Sequence, residues 1–324
     1  MTVRLTTVGA DSASTFELNE GAPRWTCAFV NNMPDGAFDA TERQFLGLLE
    51  EASGSDVVEV RRHAMFGVPR RELTSARIGA EYVPLADTYD DPPDLLIVTG
   101  SNPIETQIQD ELYWSDLVEL LAWSREYVGS TILSCLSAHA ALTVFDGIAR
   151  TRLSTKLTGV FSQHVDVSQP LTRGLEPEIL LPHSRWNSVP REAMEHAGYD
   201  VVIRSEETGW GVATREENGR QLILVQGHPE YDPASLLREY RRDAGRFVHH
   251  ERDDVPQLPY HCVSEEDWGS LERTHQEIIQ GERDPLLIDR YPFDDVVARA
   301  PWPWRTVATR LFTNWLTSVD QGKE

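Results

Sequence analysis

The sequence predicts an α/β fold in which a mostly parallel sheet is flanked by helices. Short apolar runs alternate with longer amphipathic stretches, and this alternation is typical of strand–helix–strand units. The run LLIV (95–98) leads into Thr-Gly-Ser, as expected of a strand that is buried on both faces and ends at a functional loop. The β-branched run TILS (131–134) passes through Cys135 directly into an alanine-rich stretch, which indicates a second buried strand followed at once by a helix.

The individual elements follow from apolar runs and from apolar residues spaced three to four apart. Strands are predicted at residues 25–31, 57–61, 94–99, 131–134, 157–162, 201–205, 211–215 and 222–226. Helices are predicted at residues 41–52, 114–127, 137–145, 235–246, 265–280 and 306–318. Asp39 and Glu42 have the spacing of a capping box, which predicts that the first helix begins beside them.

The composition changes near residue 251, where acidic residues, prolines and tryptophans become frequent. This part lacks the apolar runs that would build a sheet of its own. We therefore predict an α/β catalytic domain at residues 1–250 and a C-terminal extension at 251–324 that packs on it.

The charge balance excludes several classes of function. The 324 residues include 52 acidic and 30 basic side chains, for a net charge of −22. A chain this acidic repels nucleic acid and anionic membrane surfaces, so neither is an expected partner. The longest uncharged stretch, 127–145, is diluted by polar residues, and the N-terminal residues 1–12 lack the apolar core of a signal peptide. Three cysteines make no disulfide framework, so a cytoplasmic protein is expected.

Cys135 is the candidate nucleophile. It stands between a strand and a helix, where the turn exposes the side chain at the sheet edge and the helix N-terminus lowers a thiol pKa. Ser137 and Ala138 are small enough for a tight turn, whereas Leu133 is bulkier than the usual glycine. The Leu136 N–H would hold an oxyanion. The alternative is a buried, inert cysteine, which is the preferred interpretation for the other two cysteines.

A second constellation follows the strand LILVQ, where His228 and Glu230 flank Pro229 in a loop. His228 can take the thiol proton while Glu230 holds the imidazole tautomer. A strand–Cys–helix unit together with a later His-Pro-Glu therefore predicts a Cys135–His228–Glu230 triad. A zinc site is the competing hypothesis, but no CxxC or HxxxH spacing is present, so no metal is expected.

This combination resembles the class I glutamine amidotransferase fold, which belongs to the flavodoxin-like architectures. Within that fold, the chain is most similar to the homoserine O-acyltransferases, the succinyl- or acetyltransferases of methionine biosynthesis. The similar segments run in family order and include the motifs PHSR, GHPEYD and LFTNWL. They are residues 31–50, 95–101, 113–135, 140–148, 156–164, 180–185, 205–212, 226–243 and 304–316.

The resemblance implies roles for individual residues. It makes Cys135 the acyl-accepting nucleophile, with His228 as its base and Glu230 as the orienting group. It implies that Arg242 grips the amino-acid carboxylate and that Lys156 and Ser184 line the acyl pocket. The loop around Ser101 would supply a second oxyanion donor beside the Leu136 N–H. Without the resemblance, Arg242 and Lys156 would be interpreted as solvated surface charges.

The chain also departs from the family pattern. The family usually has Cys-Trp-Gly/Ala-x-Gln at the nucleophile, whereas this chain has Leu136-Ser137-Ala138-His139 after Cys135. Asp35 and Gly36 replace a lysine that usually follows Asn-x-Met-Pro. A glutamate in the loop after Thr-Gly favours acetyl over succinyl, and Glu105 lies one position away from an ungapped match. Its charge favours acetyl, but either donor stays open.

The implied reaction is ping-pong acyl transfer from acyl-CoA, a co-substrate, to the hydroxyl of L-homoserine, with no permanently bound cofactor. CoA is polyanionic, so an acidic enzyme must gather its cations at the site, which singles out Lys156, Arg185 and Arg242. The alternatives are transfer to L-serine or a related hydroxy amino acid, hydrolysis of glutamine by the same triad, and a catalytically silent binding protein. Family members suggest a homodimer.

Overall fold

A ten-stranded mixed sheet runs through the protein, in the computed structural model that describes residues 2–6, 22–281 and 283–321. Its strand order is β1-β3-β2-β4-β5-β10-β9-β8-β6-β7. The strands are β1 (Val3–Thr6), β2 (Trp25–Val30), β3 (Val58–His63), β4 (Leu95–Val98), β5 (Ser130–Ser134), β6 (Thr151–Val165), β7 (Glu178–Ser188), β8 (Asp200–Ser205), β9 (Gly209–Glu217) and β10 (Arg220–Val225). The ladders from β1 to β10 in this order are parallel, and those from β10 to β7 are antiparallel.

Helices cover both faces of the parallel half. The helices of the described residues are α1 (Asp35–Ser53), α2 (Glu72–Glu81), α3 (Leu85–Asp90), α4 (Trp114–Tyr127), α5 (Leu136–Asp146), α6 (Arg191–His196), α7 (Ser235–Val248), α8 (Glu265–Gln280), α9 (Leu286–Arg290), α10 (Phe293–Arg299) and α11 (Arg305–Gln321). Successive residues of β2 divide between two cores: Phe29 joins the core under α1 and α11, while Val30 joins the core under α4 and α5. This alternation is the two-residue period of a strand buried on both faces.

The predicted elements largely agree with the structure, and the first helix is the main correction. α1 begins at Asp35, directly after Pro34, so the predicted capping box is wrong. Asp39 lies inside the helix, where its carboxylate pairs with Arg77 instead of a backbone N–H. Pro34 sets the earlier start because it fixes the backbone just before the first helical residue.

Two strands escaped the sequence analysis. β7 contains the polar run Pro-His-Ser-Arg, which does not read as a strand, yet it pairs with β6 over most of its length. β1 is short and lies at the edge of the sheet beside β3. The predicted strand at 157–162 is the middle of the much longer β6.

The C-terminal part contacts the sheet at two places. Leu311, Phe312 and Trp315 of α11 pack into the core shared with α1, and the Trp315 indole donates to Ser130 Oγ at 2.7 Å. α8, α9 and α10 form a further core with α7. The domain boundary at residue 250 stays a prediction, and residues 1 and 7–21 of the predicted first domain, including most of the N-terminal stretch without a signal peptide, lie outside the described residues.

Candidate active site

Cys135 stands at a sharp turn between β5 and α5. Its backbone has φ 51° and ψ −104°, a region that non-glycine residues rarely occupy and that costs about 1–3 kcal/mol. The Cys135 N–H donates to the Val225 carbonyl of β10 at 2.7 Å, which ties the turn to the neighbouring strand. The thiol is partly exposed, in contrast to Cys27 and Cys262, which are both buried and free. The turn thus presents the thiol at the carboxyl edge of the parallel strands.

Close packing below the turn explains why small residues follow the cysteine. The Ser137 hydroxyl donates to the Val98 carbonyl at 2.8 Å and to the Ser134 carbonyl at 2.9 Å. Leu133, which replaces the expected glycine, is fully buried in the core under α4 and α5. Its bulk therefore fills the core and leaves the turn intact.

The loop after β4 approaches the same turn. A Cβ built on Gly100 would lie 3.4 Å from the Cβ of Cys135 and 3.4 Å from the Leu136 nitrogen. Leu136 is the first residue of α5, where the N–H has no partner within the helix. The predicted oxyanion donors, Leu136 and the Gly100–Ser101 loop, therefore meet beside the thiol.

His228 and Glu230 form a buried pair directly after β10. His228 Nδ1 lies 2.8 Å from Glu230 Oε1, and its other nitrogen, Nε2, is buried with the Cys135 thiol as its neighbour. The backbone N–H of His228 donates to the Pro182 carbonyl at 2.7 Å. Gly227 permits this contact, because a Cβ there would lie 2.3 Å from Leu181 Cδ2. The order thiol–imidazole–carboxylate is that of a nucleophile, its base and an orienting group.

The electrostatics favour a charged imidazole. Burial acts to lower the pKa of His228, but the Glu230 charge, its hydrogen bond to His228 Nδ1 and the influence of Cys135 outweigh it and raise the pKa well above its usual value. The Tyr231 ring stacks on the imidazole with centroids 4.2 Å apart. An imidazolium held this way is the natural partner of a thiolate.

Lys156, Ser184 and Arg242 converge on two carboxylates of α7. The Lys156 ammonium lies 2.8 Å from Glu239 and 3.0 Å from Asp243, and the Ser184 hydroxyl donates to Glu239 at 2.5 Å. Arg242 Nε and Nη2 both contact one Asp243 oxygen, at 3.1 and 3.0 Å, while 41% of the Arg242 side chain stays exposed. The structure thus brings together three predicted residues and adds Glu239 and Asp243.

This group, the α7 cluster, is joined to the triad through Tyr231. The Tyr231 hydroxyl donates to Glu239 at 2.6 Å while its ring covers His228. Burial acts to raise the pKa of Glu239, but the Lys156 charge and the hydrogen bonds from Lys156, Ser184 and Tyr231 lower it to about 2. The sequence carried a signal for this group, because Glu239 and Asp243 are four residues apart and share one face of a helix.

Another group of polar side chains comprises Arg150, Arg185 and Tyr113, and the buried Glu111 carboxylate acts on Arg150 and Tyr113. The electrostatic influence of Cys135 acts to raise the pKa of both Arg150 and Arg185 against the effect of burial. Burial lowers the pKa of Arg185 to about 10, with Cys135 opposing it. Burial also raises the pKa of Tyr113 to about 12, an effect that the neighbouring Ser101 hydroxyl reduces. No sequence pattern singles out Arg150 and Tyr113, because nothing in their spacing connects them to residue 135.

Comparisons with known proteins identify the family. The family model described as homoserine O-succinyltransferase matches residues 19–323. The chain belongs to this family. It is 38% identical over 290 residues to a homoserine O-succinyltransferase of Rhodopseudomonas palustris, covering 90% of this chain and 86% of the relative. A protein of the same name from Methylorubrum extorquens is 36% identical over 296 residues, covering 91% and 87%.

A solved structure supports the fold alone. The glutamine amidotransferase from Methylobacillus flagellatus covers 93% of this chain and 96% of its own, with a TM-score of 0.51 and 13% identity. This homoserine O-succinyltransferase family member therefore has the class I glutamine amidotransferase-like fold that the sequence predicted.

The departures from the family pattern have local structural explanations. His139, which stands where the family has glutamine, lies 2.9 Å through Nε2 from Gln226 Oε1, so it links α5 to the segment that carries His228. No lysine follows Pro34, but Arg70 reaches the same loop and donates to the carbonyls of Asn31 and Met33 at 3.0 and 3.1 Å. Arg70, which lies between β3 and α2, therefore places a cation at this loop.

Glu105 lies in the loop after β4 with an exposed side chain. Its backbone N–H and that of Ile104 donate to the buried Glu111 carboxylate at 2.7 and 2.6 Å. Glu111, which the sequence analysis did not single out, therefore fixes this loop. The influence of Glu105 on the acyl donor stays a prediction.

Two further expectations concern metals and membranes. Within residues 2–6, 22–281 and 283–321 there is no group of three or more His, Cys, Asp or Glu side chains that could hold a metal ion. None of the helices described is both long and apolar enough to cross a membrane.

Proposed function

We propose that this protein transfers an acyl group from acyl-CoA to the side-chain hydroxyl of L-homoserine through a Cys135 acyl-enzyme. The observation that carries the proposal is the strained turn that presents Cys135 to the buried His228–Glu230 pair. The relatives named homoserine O-succinyltransferase, which match about nine tenths of the chain, support homoserine as the acceptor.

The first half-reaction forms the acyl-enzyme. The Cys135 thiolate attacks the thioester carbon, and the resulting oxyanion is held by the Leu136 N–H and the Gly100–Ser101 loop. The carbon–sulfur bond to CoA then breaks, and CoA leaves with a proton from the His228 imidazolium. Thiolate-for-thiolate exchange suits this step because the bond formed and the bond broken are alike.

The second half-reaction transfers the acyl group to the acceptor. Neutral His228 takes the hydroxyl proton of homoserine, whose oxygen attacks the acyl carbon. The bond to Cys135 breaks, the ester leaves, and the Cys135 thiolate and His228 imidazolium are restored. Glu230 keeps the imidazole in the tautomer that both steps need.

The α7 cluster has the chemistry of a zwitterion site. An amino acid presents a carboxylate and an ammonium, and Arg242 lies beside Glu239 and Asp243. Burial acts to lower the pKa of Arg242, but Asp243 and Glu239 outweigh it and raise the pKa. We infer that the exposed part of Arg242 holds the substrate carboxylate and that Lys156 and Ser184 keep Glu239 in place. Binding the acceptor there gives it an advantage over water.

Purified protein tests the proposal when it is mixed with acetyl- or succinyl-CoA and with L-homoserine, L-serine or glutamine. We expect homoserine-dependent release of free CoA and an acyl adduct on Cys135 by mass spectrometry. Ammonia release from glutamine would identify an amidohydrolase instead, and no turnover with any pair would identify a silent binding protein. Light scattering of the same sample measures the predicted homodimer.

A further inference from the structure

Further arginines lie along α7 beyond the α7 cluster. Arg246 follows Arg242 by one helical turn, and both are exposed on the same side of the helix. The chain then turns back, since the Glu251 N–H donates to the Arg246 carbonyl at 2.8 Å. After this turn, Arg252 reaches Asp243 of the cluster at 3.3 Å. Arg246 and Arg252 therefore extend the positive charge of the cluster along the helix.

Strand β7 brings an aromatic ring to the same place. Ser184 faces α7 through its bond to Glu239, and Trp186, two residues later in the strand, points to the same side of the sheet. The Trp186 ring contacts two guanidinium groups, that of Arg152 at 4.8 Å and that of Arg252 at 6.0 Å from its centroid. Trp186 thus holds an arginine of β6 beside the one that follows α7.

This group is the arginine platform, and its members are Arg152, Trp186, Arg246 and Arg252. Arg252 pairs with Asp243 and Asp254, whereas neither Arg152 nor Arg246 forms an ion pair with a carboxylate of the described residues. Burial and the charges of the neighbouring arginines lower the pKa of Arg252, although Asp243 opposes them. Like charges at one surface repel each other, and an anion with several charges would relieve that repulsion.

The platform lies at a distance from Cys135 but is connected to it. A series of contacts leads from His228 to the Tyr231 ring and from the Tyr231 hydroxyl to Glu239. Arg246 lies two helical turns beyond Glu239, which is about 10 Å along α7 at 1.5 Å per residue. This separation suits the two ends of an acyl-CoA, in which the pantetheine arm keeps the phosphates away from the thioester.

We propose that the arginine platform binds the 3′-phosphorylated ADP end of acyl-CoA while the thioester lies at Cys135. The inference rests on the proposed acyl transfer and adds the residues that hold the nucleotide of the donor. A guanidinium group donates paired hydrogen bonds to phosphate oxygens. Arg152 and Arg246 supply the charges that no carboxylate neutralises, and Trp186 is a positioning residue. No bond forms or breaks at the platform.

The first test compares acyl-CoA with the same acyl group on pantetheine, which lacks the phosphates and the adenosine. Two lost contacts between an arginine and a phosphate predict that kcat/KM for acyl-CoA exceeds that for acyl-pantetheine by about 100-fold or more, at saturating homoserine. Equal use of both donors would overturn the platform and leave the proposed function in place. No transfer from either donor would reject the proposed function, and the platform with it.

The second test uses Arg152→Met and Arg246→Met, with Arg220→Met as the matched control because Arg220 begins β10 at the end opposite His228. Each variant should raise the KM for acyl-CoA about tenfold, because a hydrogen bond to a charged group is lost. The kcat, and kcat/KM for acyl-pantetheine, should change by less than about twofold, since only binding of the nucleotide is affected. Arg246→Lys should recover part of the loss, because lysine binds phosphate as a point charge.

An equal loss with both donors would overturn the platform, because acyl-pantetheine has no phosphate to lose. Both arginines are exposed and lie on different elements, so if circular dichroism shows that one variant is unfolded, the other decides the matter.

A competitor tests which part of the donor is bound. Adenosine 3′,5′-bisphosphate should inhibit the unaltered enzyme competitively against acyl-CoA, and its inhibition constant should rise about tenfold in Arg246→Met. Inorganic phosphate at the same concentration should not inhibit. Equal inhibition by inorganic phosphate would show a general anion site and would count against a nucleotide.

Discussion

The cations on the two sides of Cys135 differ in how their charge is balanced. In the α7 cluster, Lys156 lies within 3.0 Å of two carboxylates, and Arg242 shares one of them. Arg185, by contrast, contacts a carbonyl and a neutral histidine. The pKa of Arg242 is raised, because Asp243 and its neighbours outweigh the effect of burial. The pKa of Arg185 is lowered to about 10, because only Cys135 opposes the effect of burial there.

This difference separates two electrostatic environments. The α7 cluster, in which the charges are balanced, is suited to the zwitterionic amino acid of the proposed function, because a zwitterion carries both charges and leaves the local net charge unchanged. Arg185 has no such balance, because no carboxylate of the described residues forms an ion pair with it. Within a chain of net charge −22, a buried arginine without an acidic partner is the more informative of the two.

The largest expected effect comes from removal of the Cys135 thiol. Cys135→Ser should lower the rate of homoserine-dependent CoA release by at least about 10⁴-fold, because a serine hydroxyl lacks the acidity of a thiol at this turn. Cys262→Ser is the matched control, since that thiol is buried in the core beside α7, away from the turn, and donates to the Pro259 carbonyl at 3.3 Å. Comparable rates in the two variants would remove Cys135 from the mechanism.

Glu239→Gln unbalances the α7 cluster and leaves Lys156 with Asp243 alone. Removing one partner of a buried ion pair predicts a loss of about 3 kcal/mol in the free energy of unfolding. The KM for homoserine should rise by about tenfold or more, and the KM for the acyl donor should stay the same. Urea unfolding and initial-rate kinetics measure these effects, with Glu72→Gln on the exposed part of α2 as the control.

The same carboxylate predicts a pH dependence of stability. The pKa of Glu239 is about 2 in the folded protein, below the value of about 4.3 in an unfolded chain. Its contribution is therefore present above pH 4.3 and is lost as the pH falls towards 2. Glu239→Gln should show a shallower decline in this range. A decline as steep as that of the unaltered protein would contradict the charge balance inferred for the cluster.

His139→Gln tests a buried histidine outside both groups of cations. His139 supports the segment that carries His228, through its contact with Gln226. Burial lowers the pKa of His139 to about 4, and the Gln226 hydrogen bond opposes it. The unfolded chain takes up a proton near pH 6.5 that the folded protein refuses, so stability falls as the pH drops from 6.5 to 4.

Glutamine does not titrate and can still donate to Gln226, so the loss of unfolding free energy between pH 7 and pH 4.5 should shrink by about 2 kcal/mol. Urea unfolding at the two pH values measures it. The exposed His164→Gln serves as control and should leave the loss unchanged. An unchanged loss in His139→Gln would show that the acid sensitivity arises elsewhere.

The smallest expected effect concerns the contact between the C-terminal part and the α7 side. The indoles of Trp302 and Trp304 both donate to the Tyr231 carbonyl, at 3.0 and 2.7 Å. Trp304→Phe should lower the free energy of unfolding by about 1 kcal/mol and kcat by a few fold, with KM unchanged. Trp302→Phe should do less, because Trp302 is 39% exposed. A larger effect from Trp302 would reverse this order.

Much of the candidate site could be predicted from sequence because its central parts are local. Cys135 lies between a strand and a helix, and His228 and Glu230 follow a strand two residues apart, so pattern and spacing suffice. Lys156, Ser184 and Arg242 were indicated by the family resemblance alone. Arg150 and Tyr113 gave no signal, since both belong to elements whose distance from Cys135 is set by the fold.

The sequence alone determined the fold class and the family, and it predicted the order of nucleophile, base and orienting group. Those features depend on apolar periodicity and on short motifs, which are written along the chain. The tertiary structure decided which cations are balanced: Lys156 meets carboxylates that lie more than 80 residues away along the chain, and Arg185 meets none within 4 Å in the described part of the protein. Charge compensation depends on distance in space and on burial, and neither residue type nor spacing encodes these.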